Sequence, residues 1–308
     1  MLSIVVPVYN EEESLGAFYR ELHEEIKKLG EKYEILFVDD GSIDSSLGIL
    51  KKLSQKDSNV RIFSLRKNQG KAEVLTIGFQ KAKGDLVITL DADLQDQPKE
   101  IKKLLDKQSE GHDVISGWRK NRKDKSRMVI ISKIFNTIVG RLFGLTLHDY
   151  NCGLKVYTAE AAKSLHLYGG MHRFIPLLAD QQGFSVDEVE VEHQPRQFGS
   201  SKYGFSKIKD LPDIFTMLFL TRYSKRPLHF FGPVGGGLFG VGLIIFFYLC
   251  TIWFMGASIG RRPLLIFSVL LMLVGLQVFF TGFLAELFTS LSQKRTFHFP
   301  LKYMTDEA

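Results

Sequence analysis

The chain has 308 residues, room for one domain of about 200 residues and a smaller second part. Its net charge is +6, but the lysines are spread over helix faces among glutamates, which argues against a nucleic-acid groove. Two cysteines, Cys152 and Cys250, the second inside an apolar run, exclude a disulfide framework and point to a reducing compartment.

Residues 2–8 (LSIVVPV) are apolar, too short for a signal peptide, and read as a first strand. Strand-like runs follow at 33–39, 60–65, 85–91 and 113–117. Between them, segments such as 12–29 and 44–56 carry apolar residues at helical spacing. The alternation predicts one α/β, Rossmann-like domain with a mostly parallel sheet. Ligands of such sheets bind beyond the carboxyl ends of the strands. Polar residues stand at each predicted exit: Asn10 and Glu11, Asp39 and Asp40, Arg66, Asp91 and Asp93, Trp118 and Arg119.

In LDADLQDQP (90–98), two carboxylates lie one residue apart, with Gln95 two further on. Such oxygen ligands suit Mg²⁺ or Mn²⁺, which keep positions open for substrate phosphates. There is no G-x-G-x-x-G after the first strand and no G-x-x-x-x-G-K-[ST]. The sheet is therefore not expected to hold a dinucleotide or triphosphate at a glycine-rich helix start. A nucleotide diphosphate held by a metal and side chains fits better.

Two later stretches, 127–145 and 205–222, are amphipathic; the second is expected in a headgroup layer. Basic residues cluster near 119–127, 202–209 and 222–226, the last beside an apolar span, as an anionic membrane surface would favour. Phe230–Gly256 and Pro263–Ala285 carry no charge, and each exceeds the roughly 20 residues that cross a bilayer core. The short linker 257–262 makes them a hairpin. Arg222, Lys225, Arg226, Lys294, Arg295 and Lys302 flank it against Arg261 and Arg262 in the linker, which favours both ends being cytoplasmic. Gly232, Gly236 and Gly240 fall at small-x-x-x-small spacing, for packing within the hairpin or in a homo-oligomer. The expected division is 1–204 cytoplasmic domain, 205–228 amphipathic juxtamembrane segment, 229–290 two transmembrane helices and 291–308 cytoplasmic tail.

IVVPVYNEEESL (4–15), FVDDGSIDSS (37–46), LDADLQDQP (90–98) and GWR (117–119) resemble the inverting glycosyltransferases of family 2, fold type A. HDYNCGLKVY (148–157), HRFIP (172–176) and PRQFGSSKYG (195–204), with the hairpin after them, resemble its polyprenyl-phosphate branch, which includes dolichyl-phosphate mannose synthases and undecaprenyl-phosphate glucosyltransferases. The Q-x-x-R-W motif of processive synthases is absent, which argues against polymerisation. The final helix lacks the tail pattern of the glucosyl branch, so the sugar stays open.

The resemblance implies transfer of one sugar from a nucleotide diphosphate sugar to undecaprenyl or dolichyl phosphate at the cytoplasmic face of a bilayer. Pro7, Tyr9 and Glu11 would line the nucleotide pocket, and Asp40 would read the base edge. Lys71 and Arg66 are open between reaching the nucleotide and standing in solvent. Asp91, Asp93 and Gln95 would hold Mg²⁺ or Mn²⁺ on the diphosphate. The acceptor, a phosphate monoester with a second pKa of about 6, is largely dianionic and needs no strong base. Arg119 and Arg127 would clamp it, with a hydroxyl from Ser132. Asp149 would be a base or a sugar ligand. Arg196 and Lys202, in a loop with Gly199 and Gly204, would form a lid. His172 and Arg173 are open between structural and acceptor-side roles. Two other readings stand beside this one. A lipid hydroxyl acceptor, such as diacylglycerol, would make Asp149 indispensable as a base. A catalytically silent membrane scaffold would need none of these residues.

Overall fold

The computed structural model describes residues 1–120, 136–137, 140, 143–195, 219, 223, 226–260 and 262–293. The chain divides into two compact units, Met1–Ile214 and Phe215–Ala308.

The first unit is built on a seven-stranded sheet in the order β3-β2-β1-β4-β6-β5-β7. Its strands are β1 (Leu2–Val8), β2 (Tyr33–Asp39), β3 (Val60–Ser64), β4 (Leu86–Thr89), β5 (Val114–Trp118), β6 (Lys155–Thr158) and β7 (Val186–Glu190). The first five match the apolar runs. Strands covered on both faces read as near-continuous apolar segments, and β1 and β2 are buried almost throughout. Helices α1 (Leu15–Leu29), α2 (Ser46–Lys56), α3 (Lys71–Lys81) and α4 (Ile101–Gln108) connect them. Helix α1 turns Leu15, Phe18, Leu22 and Ile26 onto the sheet at helical spacing.

The sequence pattern missed β6 and β7. Strand β6 is antiparallel to both neighbours, and the other four pairings are parallel, so the sheet is mixed but mostly parallel. It is four residues long and contains a buried lysine, Lys155, which breaks any apolar signature. Helices α5 (Ala159–Ser164) and α6 (Ile175–Gln181) follow it.

Pro7 marks where the sheet opens. Leu90 N–H donates to Val5 O and Asp40 N–H to Val8 O, so odd positions of β1 face β4. The β1–β4 pairing ends at Val5 and Thr89, so the N–H that Pro7 lacks would have met no ladder partner. Chain order reverses between β1 and β4, and the crevice at such a switch point is where α/β sheets bind ligands.

The second unit is an antiparallel pair, α7 (Leu228–Phe254) and α8 (Pro263–Gln293). Both are long and apolar enough to cross a bilayer, with mean hydropathy 2.1 and 2.5. Ile244, Phe254, Ile266 and Phe288 are at least 70% exposed, unlike the side chains of a soluble core helix. The helices meet backbone to backbone. A Cβ on Gly235 would lie 2.6 Å from Gly275 O, and one on Gly275 would lie 2.5 Å from Phe239 N. Gly236 and Gly240 have nothing within 4 Å and Gly232 meets only Leu228 of its own helix, so the predicted glycine row is not the seam of the hairpin. Most of the stretches 127–145 and 205–222, and the tail beyond Gln293, lie outside the described residues.

Candidate active site

The loops after β1 and β2 are stitched together at the mouth of the crevice. Asn10 takes φ 52°, a conformation Asn tolerates, and its Oδ1 accepts the Ile43 N–H at 2.9 Å. Ser42 Oγ accepts the Asn10 N–H at 2.9 Å, and Ser46 Oγ the Glu11 N–H at 2.8 Å. Tyr9 and Glu11 are half-buried beside them, and Arg66 is exposed. Asp39 accepts from Ser42 N–H and Ser64 Oγ and so orients the loop that follows β2.

Asp40 accepts the N–H groups of Gln69 and Gly70 at 2.7 and 3.0 Å, and burial raises its pKa. It anchors the turn that starts α3, so any base edge has to share it with the backbone. Lys71 is the first residue of α3, and its Nζ lies 2.6 and 2.7 Å from the two oxygens of Asp91.

Strand β4 ends at Thr89, so the acids sit on the loop beyond it. Gln95 N–H donates to Asp93 Oδ1 at 3.1 Å, the local bond that an Asp turn provides. Leu94 turns the loop at φ 60° with its side chain buried. Opposite lies Gly153, where a Cβ would stand 2.5 Å from Asp91 Oδ2. Among the described residues no three His, Cys, Asp or Glu side chains converge. Two carboxylates and an amide oxygen are hard donors that suit Mg²⁺ or Mn²⁺, with phosphates and water completing the shell. The donor set fits that metal class.

Arg119 leaves β5 and turns inward. Its Nε and Nη2 donate to Asp149 Oδ2 and Oδ1 at 2.7 and 3.1 Å, and Nη2 also reaches Asn151 O at 3.0 Å. The side chains are 10% and 4% exposed. Burial alone would lower the guanidinium pKa, but Asp149 raises it above its usual value. The structure thus gives Arg119 a buried partner that the sequence did not. Arg127, Ser132, Arg196 and Lys202 lie outside the described residues.

Beneath this surface lie two groups that sequence reasoning missed and a third, His172, that it left open. Asp96 and His193 form a buried pair at 3.3 Å, and Gln194 N–H donates to Gln95 O at 2.9 Å. Burial would raise the Asp96 carboxyl, but His193, Arg119 and Lys71 hold it at about 2. Lys155 donates to Cys152 O, and burial pushes its pKa down. His172 shares a pocket with Lys71, Asp91, Asn151 and Gly153; burial first, then the charges of Lys71 and Arg173, depress it to about 3, so it is neutral. His172 and Lys155 lie in motifs the sequence displays, but the burial of Lys155 has no local signature.

Residues 3–165 match the family described as glycosyl transferase family 2. The chain is 38% identical over 293 residues to the dodecaprenyl-phosphate galacturonate synthase of Rhizobium johnstonii, covering 93% of this chain and 87% of that one. It is 35% identical over 289 residues to the undecaprenyl-phosphate 4-deoxy-4-formamido-L-arabinose transferase of Pseudomonas paraeruginosa, covering 93% and 84%. Among solved structures it resembles glucosyl-3-phosphoglycerate synthase from Mycobacterium tuberculosis in complex with Mn²⁺ and UDP-glucose. The TM-score is 0.54 at 18% identity, over 72% of this chain and 78% of that one, a likeness of fold.

Proposed function

The chain belongs to glycosyl transferase family 2, and on that premise we propose that it moves one sugar, with inversion, from a nucleotide diphosphate sugar to a polyprenyl phosphate. The observation that carries the reading is the relatives' shared acceptor class. Both are named for polyprenyl-phosphate substrates, and each aligns over 93% of this chain, hairpin included. The hairpin suits an acceptor whose tail lies in a bilayer, with the catalytic unit on the cytoplasmic side.

Asp91 and Asp93, with Gln95, would hold the divalent cation; it supplies charge neutralisation on the departing nucleotide diphosphate. Pro7, Tyr9 and Glu11 border the crevice that takes the nucleotide. An acceptor phosphate dianion attacks without a strong base, so the site's task is orientation. Asp149 suits that task. Its carboxylate accepts two N–H groups from Arg119 and one from Asn151, an arrangement that positions it rather than freeing it to take a proton. Arg119 then acts through Asp149, and Arg127, Ser132, Arg196 and Lys202 remain the proposed contacts to the phosphates.

The test incubates purified protein with a panel of radiolabelled nucleotide sugars and undecaprenyl phosphate, followed by organic extraction. One sugar is expected to enter the organic phase as a lipid phosphodiester. Label on diacylglycerol alone, or released only into water, would overturn the reading.

A further inference from the structure

The carboxylate of Asp91 is held from two sides, and the two sides differ. One is backbone. A Cβ on Gly153 would stand 2.5 Å from Asp91 Oδ2, and Thr89 Oγ1 fixes the Gly153 carbonyl at 2.8 Å. The other is the ammonium of Lys71, 2.6 and 2.7 Å from the two oxygens. An ammonium straddling both oxygens stands at the mouth of the carboxylate, where a chelated cation would stand.

This pair is more open than its neighbours. The Lys71 and Asp91 side chains are 22% and 32% exposed, against 10% and 4% for Arg119 and Asp149 and 4% each for His193 and Asp96. Lys71 can leave without opening the core. Charge supplies the reason to leave. A divalent cation added beside Lys71 would set three positive charges against Asp91 and Asp93, while the nearby Asp96 already has His193 as its partner and faces the charge of Arg119. A diphosphate brings both the missing negative charge and oxygens that an ammonium binds well.

Resting on the reading that Asp91 and Asp93 hold a divalent cation, we infer that Lys71 and the cation are alternative partners of Asp91, exchanged by the diphosphate of the donor. As the ammonium moves to phosphate oxygens, Asp91 opens to the metal. Lys71 is then a positioning residue that makes nucleotide and cation binding mutually dependent. By linkage, each raises the other's affinity by the same factor. Asp40 serves the exchange by fixing the turn at Gln69 and Gly70 from which the lysine swings.

The experiment measures Mn²⁺ binding to the full chain in detergent, from the paramagnetic resonance signal of free Mn²⁺. It is run with and without UDP or GDP, against protein-free controls for the nucleotide's own chelation. Wild type is expected to bind Mn²⁺ weakly alone and more tightly with nucleotide, within the roughly 5- to 150-fold range of ordinary coupling. Lys71→Met is expected to bind Mn²⁺ alone at least about tenfold more tightly than wild type, and to gain little from nucleotide. Lys71→Arg keeps the charge and the dependence. Lys71→Gln replaces the Met variant if that one does not fold, and is read the same way. If wild type binds Mn²⁺ with nucleotide but neutral variants bind Mn²⁺ alone no better than wild type does, the exchange is wrong and the metal reading stands. If wild type binds no Mn²⁺ with either nucleotide, both fall.

Discussion

Glu34 and Asp91 are acids of one sheet, at opposite ends of it, and they are held in opposite ways. Glu34, at the start of β2, accepts from Ser3 Oγ, Arg61 Nη1 and Lys83 N–H at 2.6, 2.6 and 2.7 Å. Each donor is tied down in turn: Ser3 Oγ accepts the Gly84 N–H, and Arg61 also reaches Lys81 O. Asp91, beyond β4, faces a lysine on an open rim. A buried acid whose bonds close on themselves holds a fold. An acid whose partner can be replaced is available for chemistry. Asp149 lies at the site yet is sealed like Glu34, and it puts the contrast to its hardest test.

Arg119→Ala leaves Asp149 buried without its guanidinium. Breaking such a pair costs about 3–5 kcal/mol, so the variant is expected to unfold at markedly lower urea concentration. Trp118 and Trp253 are the two tryptophans, so Trp118 fluorescence in a Trp253→Phe background reports on the catalytic unit alone. A variant of unchanged stability whose KM for lipid phosphate rises would instead make Arg119 an acceptor clamp.

Asp93→Ala should do the reverse. Removing a group that stabilises charge in the transition state costs about a hundred- to a thousandfold in rate. Asp93 is half-buried on a loop, so its unfolding midpoint is expected to stay near that of wild type. Full sugar transfer in excess chelator would sink the metal reading.

These two residues also mark how far the sequence could be read. The five apolar runs, the acids at their exits and the uncharged hairpin were legible because each is a local pattern. Strand β6 was not, since KVYT is short and, among the described residues, its Lys155 finds its backbone-carbonyl partner only in the folded chain. The Asp96–His193 and Arg119–Asp149 pairs join residues 97 and 30 positions apart, and no spacing rule anticipates them. The sequence offers Arg119 as an acceptor clamp but not its pairing with Asp149, because a strand exit says where a side chain starts, not which way it turns.

The hairpin offers a different comparison, between two glycines of one helix pair. Gly275→Val drives a Cβ to 2.5 Å from Phe239 N, and backbone cannot step aside as a side chain can. Overpacking of this kind costs about 1–3 kcal/mol. A Cβ on Gly236 would meet nothing within 4 Å. Helix separation, read by a spin-label pair in nanodiscs, is expected to grow in the first and hold in the second. The catalytic unit's Trp118 signal should be the same in both. A Gly236→Val variant that loses a dimer on sizing would show that a second copy packs there.

Glu34 carries the smallest effect and the clearest sign. Burial alone would raise its carboxyl, but Ser3, Arg61 and the Lys83 N–H together hold it below its ordinary value of 4.5. A group with a depressed folded pKa stabilises the fold fully above its unfolded pKa, and that contribution fades as pH falls through the folded one. Glu34→Gln is expected to cost about 1 kcal/mol at neutral pH, since Arg61 is partly solvated and screened. Between neutral pH and about 5 the gap to wild type should stay level. Below its ordinary value of 4.5 the gap should narrow, because the protonated wild-type acid comes to resemble the glutamine. Urea midpoints from Trp118 fluorescence across that range give the curve. Sugar transfer at neutral pH should not change, because nothing Glu34 touches reaches the carboxyl end of the sheet. A gap that stays level down to pH values well below 4.5, or a loss of transfer at unchanged stability, would break the division between closed and replaceable partners.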